Sequence, residues 1–245
     1  MLDYSAVDLV LGGVVVFIAY LVRGICGFGS GLIAIPLLTL MYPLKTVVPL
    51  VVFLDLIGSG AQALSSRKHI DWKVLWPLLP ATLVGIALAL YFFTHVDTST
   101  LSVALGIFVM CFALYQLMPV PSLTGGPIVA APFGLLGGLV GTLFGTGGPM
   151  YTMYFSMRQL GKAEFRANYS FYFLIDGFFR MAVYVFGLSL LRIEWMSLLA
   201  LAFVPFAVGL YAGGKVHHEI DPMIFKKLIS LVLLASGAAL VYNYN

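Results

Sequence analysis

Residues 23–36 read Arg-Gly-Ile-Cys-Gly-Phe-Gly-Ser-Gly-Leu-Ile-Ala-Ile-Pro. Four glycines, Gly24, Gly27, Gly29 and Gly31, fall within eight positions of an otherwise apolar run. A glycine in a helix interior is worth about 1 kcal/mol less than alanine, so this density predicts a break in the helix. In lipid a break is tolerated only where the backbone is buried in protein or lines a cavity. A second cluster, Gly141-Thr-Leu-Phe-Gly145-Thr-Gly147-Gly148-Pro149, follows about half a chain later. Two breaks at corresponding places are the mark of a carrier's binding site.

Composition puts those breaks in a membrane. Apolar residues make up 61% of the 245 and charged ones 9%, with a mean hydropathy of +1.04. A soluble domain of this length cannot hide so much apolar surface. Trp72, Trp76, Trp195 and Tyr242 are residues of the kind that sit at the bilayer interface. The net charge of +3 is small and scattered, which argues against nucleic acid as a partner. The first segment lacks a basic n-region and a cleavage site, so no separate secretory signal is expected. Only two cysteines occur, Cys26 and Cys111, both in apolar runs, which excludes a disulfide framework or a thiolate metal site. No metal or cofactor is expected, and the partners implied are a small anion, protons and the lipid bilayer.

The apolar runs predict helices near 7–23, 32–43, 46–64, 74–94 and 100–118, then near 127–144, 149–158, 167–187, 196–212 and 223–242. Those at 46–64, 74–94, 100–118, 167–187 and 223–242 are long enough for a full crossing, and the pieces flanking each glycine break are shorter. Pro77, Pro80 and Pro205 are expected to kink their segments. The turn-forming stretch from Met118 to Pro127 divides the chain.

The two parts read as repeats. Ile70-Asp71-Trp72 returns as Ile193-Glu194-Trp195 at a shift of 123, and Val84-Gly85 returns as Val208-Gly209 at 124. Val96-Asp97 returns as Ile220-Asp221, also at 124, and Gly27-Phe28-Gly29-Ser30-Gly31 aligns with Gly145-Thr146-Gly147-Gly148-Pro149 at 118. Asp55 and Asp176 hold similar places after each motif. The expected fold is therefore an all-α polytopic membrane protein with two internal repeats of four to five membrane helices, each opening on a glycine-broken helix or hairpin. The repeats are 1–118 and 127–245, joined by a linker at 119–126.

Orientation turns on whether each motif interrupts one crossing or joins two short helices. If it joins two, the second repeat is inverted. Arg67, Lys68, Lys73, Arg158, Lys162, Arg166, Lys215, Lys226 and Lys227 then lie inside, with only Lys45 and Arg192 outside. The positive-inside rule favours this over the parallel alternative, which puts Arg67, Lys68, Lys73 and Arg192 outside.

A helix that begins within the membrane presents unpaired N–H groups and the positive end of its dipole. Glycines let a ligand reach that backbone, and Ser30 and Thr146 add hydroxyl donors, so both helix starts are candidate anion sites. The plainer reading, close helix packing, explains one cluster more easily than two at equivalent places. Arg23, Asp55, Asp176 and Arg180 are the ionisable residues within membrane segments, and such groups are functional candidates by default. Arg23 precedes the first motif by one turn and can face an anion or Asp55. Asp176 and Arg180, at i,i+4, either neutralise each other or belong to the site. The sequence offers Asp55 no local counter-charge, which makes it the stronger expected proton carrier of the two carboxylates. Gln62, Gln116 and Asn168 can bond a ligand but more often tie helices together. His69, His95, His217 and His218 lie near segment ends.

The paired motifs, Gly27-Phe28-Gly29-Ser30-Gly31-Leu-Ile-Ala-Ile-Pro36 and Gly145-Thr146-Gly147-Gly148-Pro149, resemble those of the TauE/SafE sulfite exporter family, also called the toluene sulfonate uptake permeases. The Val96-Asp97 and Ile220-Asp221 turns resemble that family too, and the likeness covers essentially the whole chain. It implies a plasma-membrane carrier of small sulfur-containing anions such as sulfite, thiosulfate or organosulfonates, driven by the proton gradient. For such a carrier the helix starts read above are the expected anion site, lined by Gly27, Phe28, Gly29, Ser30, Gly31, Gly145, Thr146, Gly147 and Gly148. Thr146 stands where glycine is expected, and Tyr154 stands where the first half has Pro36; both bear on the size of the site. Arg23 and Arg180 would balance the anion's charge, and Asp55 or Asp176 would carry the proton. A passive anion channel is the nearest rival. An intramembrane hydrolase is disfavoured, because neither aspartate stands in a GxGD setting and Ser30 has no histidine in a membrane segment to act as its base.

Overall fold

The computed structural model of the chain describes residues 5–27, 29–66, 69–118, 124–187, 193–216 and 222–244. Among them every regular element is helical: α1 (Ala6–Cys26), α2 (Ser30–Thr39), α3 (Leu44–Ser66), α4 (Trp72–Leu75), α5 (Leu79–His95), α6 (Thr98–Leu117), α7 (Ala130–Phe144), α8 (Gly148–Met157), α9 (Lys162–Ala182), α10 (Ile193–Val216) and α11 (Pro222–Tyr244). A 3₁₀ turn, Pro127–Val129, leads into α7, and a π-helical turn, Val183–Gly187, continues α9. Seven of the described helices are long and apolar enough to cross a bilayer. Large apolar side chains such as Val10, Ile107, Val204 and Leu231 remain exposed on them, as lipid-facing positions require. The protein is an all-α polytopic membrane protein.

Two local details differ from the sequence reading. The helices before each glycine break are full crossings, Ala6–Ile25 and Pro127–Phe144; only those after the breaks, α2 and α8, are short, at 10 residues each. The run at 74–94 is also not one crossing. Asp71 caps the four-residue α4 by accepting from Lys73 N, the chain turns at 76–78, and α5 keeps 17 residues. Pro77 and Pro80 lack the N–H groups that would carry the helix across this point. By contrast, α10 continues through Pro205, and Pro36 and Pro49 lie inside α2 and α3.

The helices gather into two compact units, each taken from both parts of the chain. The first comprises Met1–Val51, Val96–Pro119 and Leu190–Asn245. In it α1 lies along α10, α6 lies along α11, and α2 touches α1 and α11. Asp97 caps α6 by accepting from Thr100 N and Oγ1, and these bonds hold its carboxyl below the ordinary value. Its sequence counterpart Asp221 lies outside the described residues, as do His217, His218 and linker positions 119–123. Gln116 accepts from Ser230 Oγ at 2.9 Å, tying α6 to α11 as its residue type suggests.

The second unit comprises Val52–His95 and Val120–Ser189, with α5 along α7 and α8 set against both α7 and α9. Asn168 of α9 accepts from Asp71 N at 2.9 Å and donates to the carbonyls of His69 and Glu164. Tyr154 donates to Val74 O at 2.8 Å. These bonds fasten the segment before α5 to α8 and α9. Asn168 therefore serves architecture in this unit.

In each unit a close helix crossing is made at a glycine. A Cβ on Gly85 would lie 2.2 Å from Leu135 O and 2.8 Å from Leu139 N; one on Gly209 would lie 2.5 Å from Phe17 O and 3.1 Å from Leu21 N. Gly85→Ala and Gly209→Ala should each destabilise the protein by about 1–3 kcal/mol or more, because the clash is with backbone that cannot rotate away. Thermal unfolding in detergent measures this. An alanine variant that melts like the parent would show that the helices part freely at that crossing.

Candidate functional site

Each unit holds one glycine break and one buried arginine. In the first, α1 ends at Gly27, whose φ of +83° is left-handed and whose N–H donates to Arg23 O at 2.6 Å. Gly29, at φ +96°, then opens α2 with no side-chain cap. An L-residue pays about 1–2 kcal/mol for such a conformation, so glycine is favoured at both positions. Arg23 is 2% exposed and donates from Nη1 to Ser30 Oγ at 3.0 Å, across the break. Arg23 thus lies against the break that Gly27 and Gly29 make before Ser30 and Gly31, while Phe28 lies outside the described residues.

In the second unit, α7 ends at Gly145 with φ +62°, and α8 starts at Gly148 without a side-chain cap. Pro149 occupies the first turn and removes one of its N–H donors. The hydroxyl of Thr146, 2% exposed, has no hydrogen-bond partner among the described residues. Gly147 and Gly148 have no room for a side chain. A Cβ on Gly147 would lie 2.7 Å from Gly137 O, and one on Gly148 would lie 2.8 Å from the Tyr169 hydroxyl.

Arg180 reaches this break from α9. It donates from Nη2 to Asp176 Oδ2 and from Nη1 to Gly141 O at 2.9 Å; its Nε, also buried, has no partner among the described residues. Arg180 Nη1 and Gly147 Cα lie 3.2 and 3.4 Å from one point, the place a Cβ on Gly141 would take. The guanidinium and the break therefore share a single small space. The Phe173 ring flanks both, 5.5 Å from Arg180 Cζ and 3.6 Å from the Cβ position of Gly148. Asp176 also accepts from the Tyr151 hydroxyl at 3.1 Å. Asp55 on α3, 5% exposed, lies within electrostatic reach of Arg180 and so is not isolated.

Tyr151, Tyr172 and Tyr184 also contribute, and their part was not apparent in the sequence. Asn168, Tyr172, Asp176, Arg180 and Tyr184 recur every four positions on α9 and are buried to 1% or less. Tyr172 shares a 2.5 Å hydrogen bond with Thr82, and Tyr184 donates to Thr142 O. Tyr151 fits a slot left by Gly137, where a Cβ would meet its ring at 2.3 Å. The period of four within an apolar segment was the available signal, since it gathers five polar groups on one helix face.

Comparison with known proteins agrees with this architecture. The profile of the family described as Sulfite exporter TauE/SafE matches residues 12–240. The chain belongs to the TauE/SafE sulfite exporter family. Among TauE/SafE-type relatives, it is 24% identical over 202 residues to a Comamonas testosteroni protein named "Probable inner membrane transporter protein TsaS", covering 79% of this chain and 82% of that one. No solved structure matches. Membership of the TauE/SafE family makes this chain a membrane transporter whose substrate class is sulfur-containing anions.

Proposed function

We propose that the protein is a secondary active carrier in the plasma membrane, moving sulfite, thiosulfate or an organosulfonate in step with protons. The observation that carries the reading is Arg180, a fully buried guanidinium set beside a glycine break at the start of a half-length helix. A buried charge in a membrane segment is expensive and marks a substrate or ion path. Around it Thr146 offers a hydroxyl with no partner among the described residues, and the dipole of α8, which starts at Gly148, adds positive potential. The equivalent set in the other unit is Arg23, Gly27, Gly29, Ser30 and Gly31, with Phe28 completing that motif. Proton coupling falls to Asp55 and Asp176, the carboxylates that act on Arg180.

The same reading takes the chain as two repeats, 1–118 and 127–245. Its support is the pair of glycine crossings. Gly85 and Gly209 are 124 positions apart, and the backbone atoms they press on, Leu135 O with Leu139 N and Phe17 O with Leu21 N, are related by the shift of 118 that aligns the two motifs.

Purified protein in liposomes, loaded with unlabelled anion and offered [35S]sulfite, [35S]thiosulfate or [14C]methanesulfonate, should show saturable counterflow of at least one of them. Conductance without saturable exchange would make it a passive channel, and neither signal would refute anion transport. Asp→Asn variants at 55 and 176 locate the proton. The carrier of the proton is the residue whose variant flattens the pH dependence of uptake, and if both profiles keep their shape neither residue couples.

A further inference from the structure

Resting on that reading, we infer that Arg180 exchanges partners during transport. It is held by Asp176 when that carboxylate is ionised and released to the anion when Asp176 takes up a proton, so one proton crosses with each anion. Three observations lead there. First, Arg180 and Asp176 form a contact pair with both side chains buried, and Nη1 of the same guanidinium already lies beside the Gly147 break. A small turn of the side chain, with no translation of α9, moves its charge from the carboxylate to an anion at the start of α8.

Second, the two oxygens of Asp176 have different partners. Tyr151 of α8 donates to Oδ1, while Arg180 holds Oδ2. When the guanidinium turns away, Oδ2 is the atom left to receive the proton, and the Tyr151 bond keeps the carboxyl in place. Tyr151 also sits in the first turn of α8, where its N–H donates to Gly147 O, so the helix that faces the anion also holds the group that takes the proton. The other titratable groups around the pair within this unit are Tyr172 and Tyr184 of α9 and its continuation and Asp55 of α3. Tyr184 gives its proton to Thr142 O, and Tyr172 shares one with Thr82.

Third, charge balance sets the count. The ionised pair carries no net charge. A singly charged anion added to it would leave one uncompensated negative charge buried in the membrane, a penalty of several kcal/mol. Protonating Asp176 removes that excess. The occupied site is then again neutral, with Arg180 facing the anion.

The test uses wild-type protein in liposomes with the membrane potential clamped by valinomycin and potassium. Its probes are methanesulfonate and thiosulfate, singly and doubly charged anions that take up no proton themselves near neutral pH. Methanesulfonate should accumulate about tenfold per unit of pH gradient and ignore the potential, and thiosulfate should respond to both. Asp176→Asn should lose the accumulation driven by the pH gradient. Saturable counterflow with accumulation that ignores the pH gradient, or that rises about a hundredfold per pH unit, would overturn the partner exchange and leave the carrier intact. Loss of the pH response in Asp55→Asn but not in Asp176→Asn would likewise overturn it. So would counterflow of sulfite alone, because the proton would then travel on the substrate. Absence of saturable counterflow with every anion would instead overturn the carrier reading itself.

Discussion

Arg180→Gln should abolish anion counterflow and lower the thermal stability of the purified protein. Adding Asp176→Asn to it should restore the stability and not the flux. Asp176 and Arg180 are buried together, and taking away one partner leaves an uncompensated charge, which costs about 3–5 kcal/mol. The double variant removes both charges, so no uncompensated charge is left buried. Melting in detergent and counterflow in liposomes therefore report on separate roles. If the pair were only structural, the double variant would melt and transport like the parent. Transport at the parent's rate in the double variant would take Arg180 out of the anion site.

Gly147→Leu should also reduce transport to background, by a different route. Gly147 has φ −66°, a conformation open to any residue, so backbone strain is not the obstacle. The obstacle is space: a Cβ there would lie 2.7 Å from Gly137 O, 3.1 Å from Gly141 Cα and 3.3 Å from the Tyr151 ring. Three further carbons would have to push α8 off α7, moving the helix start away from Arg180. Leucine is at least as apolar as glycine, so insertion into the membrane should be unchanged. The checks are the amount of protein recovered from membranes and the counterflow rate. A leucine variant that transports normally would remove the second break from the anion path. Gly29→Leu probes the other break, where nothing lies within 4 Å of the added Cβ and the expected effect comes from a φ of +96°.

The membrane fold was legible in the sequence because lipid enforces simple rules. The long apolar runs became helices, all but the one at 74–94 unbroken, and the glycine clusters fell where α1 and α7 end. Hydropathy could not show the split at 76–78, since Leu75, Trp76 and Leu78 are all apolar; the signal there was Pro77 and Pro80 following the capping Asp71. Nor could it show which helices pair. The partnership of α1 with α10 and of α5 with α7 depends on where side chains are absent, at Gly85, Gly134, Gly138, Gly209 and Gly213, and on what faces those gaps from distant parts of the chain. At the site, Asp176 and Arg180 could be found because charge is rare in such a sequence. Tyr151, Tyr172 and Tyr184 could not, because tyrosine reads as an ordinary membrane aromatic until its hydroxyl is seen bonded inside the protein. Asp55 looked solitary for a similar reason: Arg180 comes to it from α9, which no local spacing reveals.

The two glycine breaks look interchangeable as text, yet their glycines answer to different demands. Gly27 and Gly29 are needed for handedness, with open surroundings and mirror-image backbone angles, whereas Gly147 and Gly148 are needed for want of room. A D-alanine introduced by peptide ligation would suit the backbone angles of the first kind of position, whereas the second kind excludes the Cβ of any L-residue.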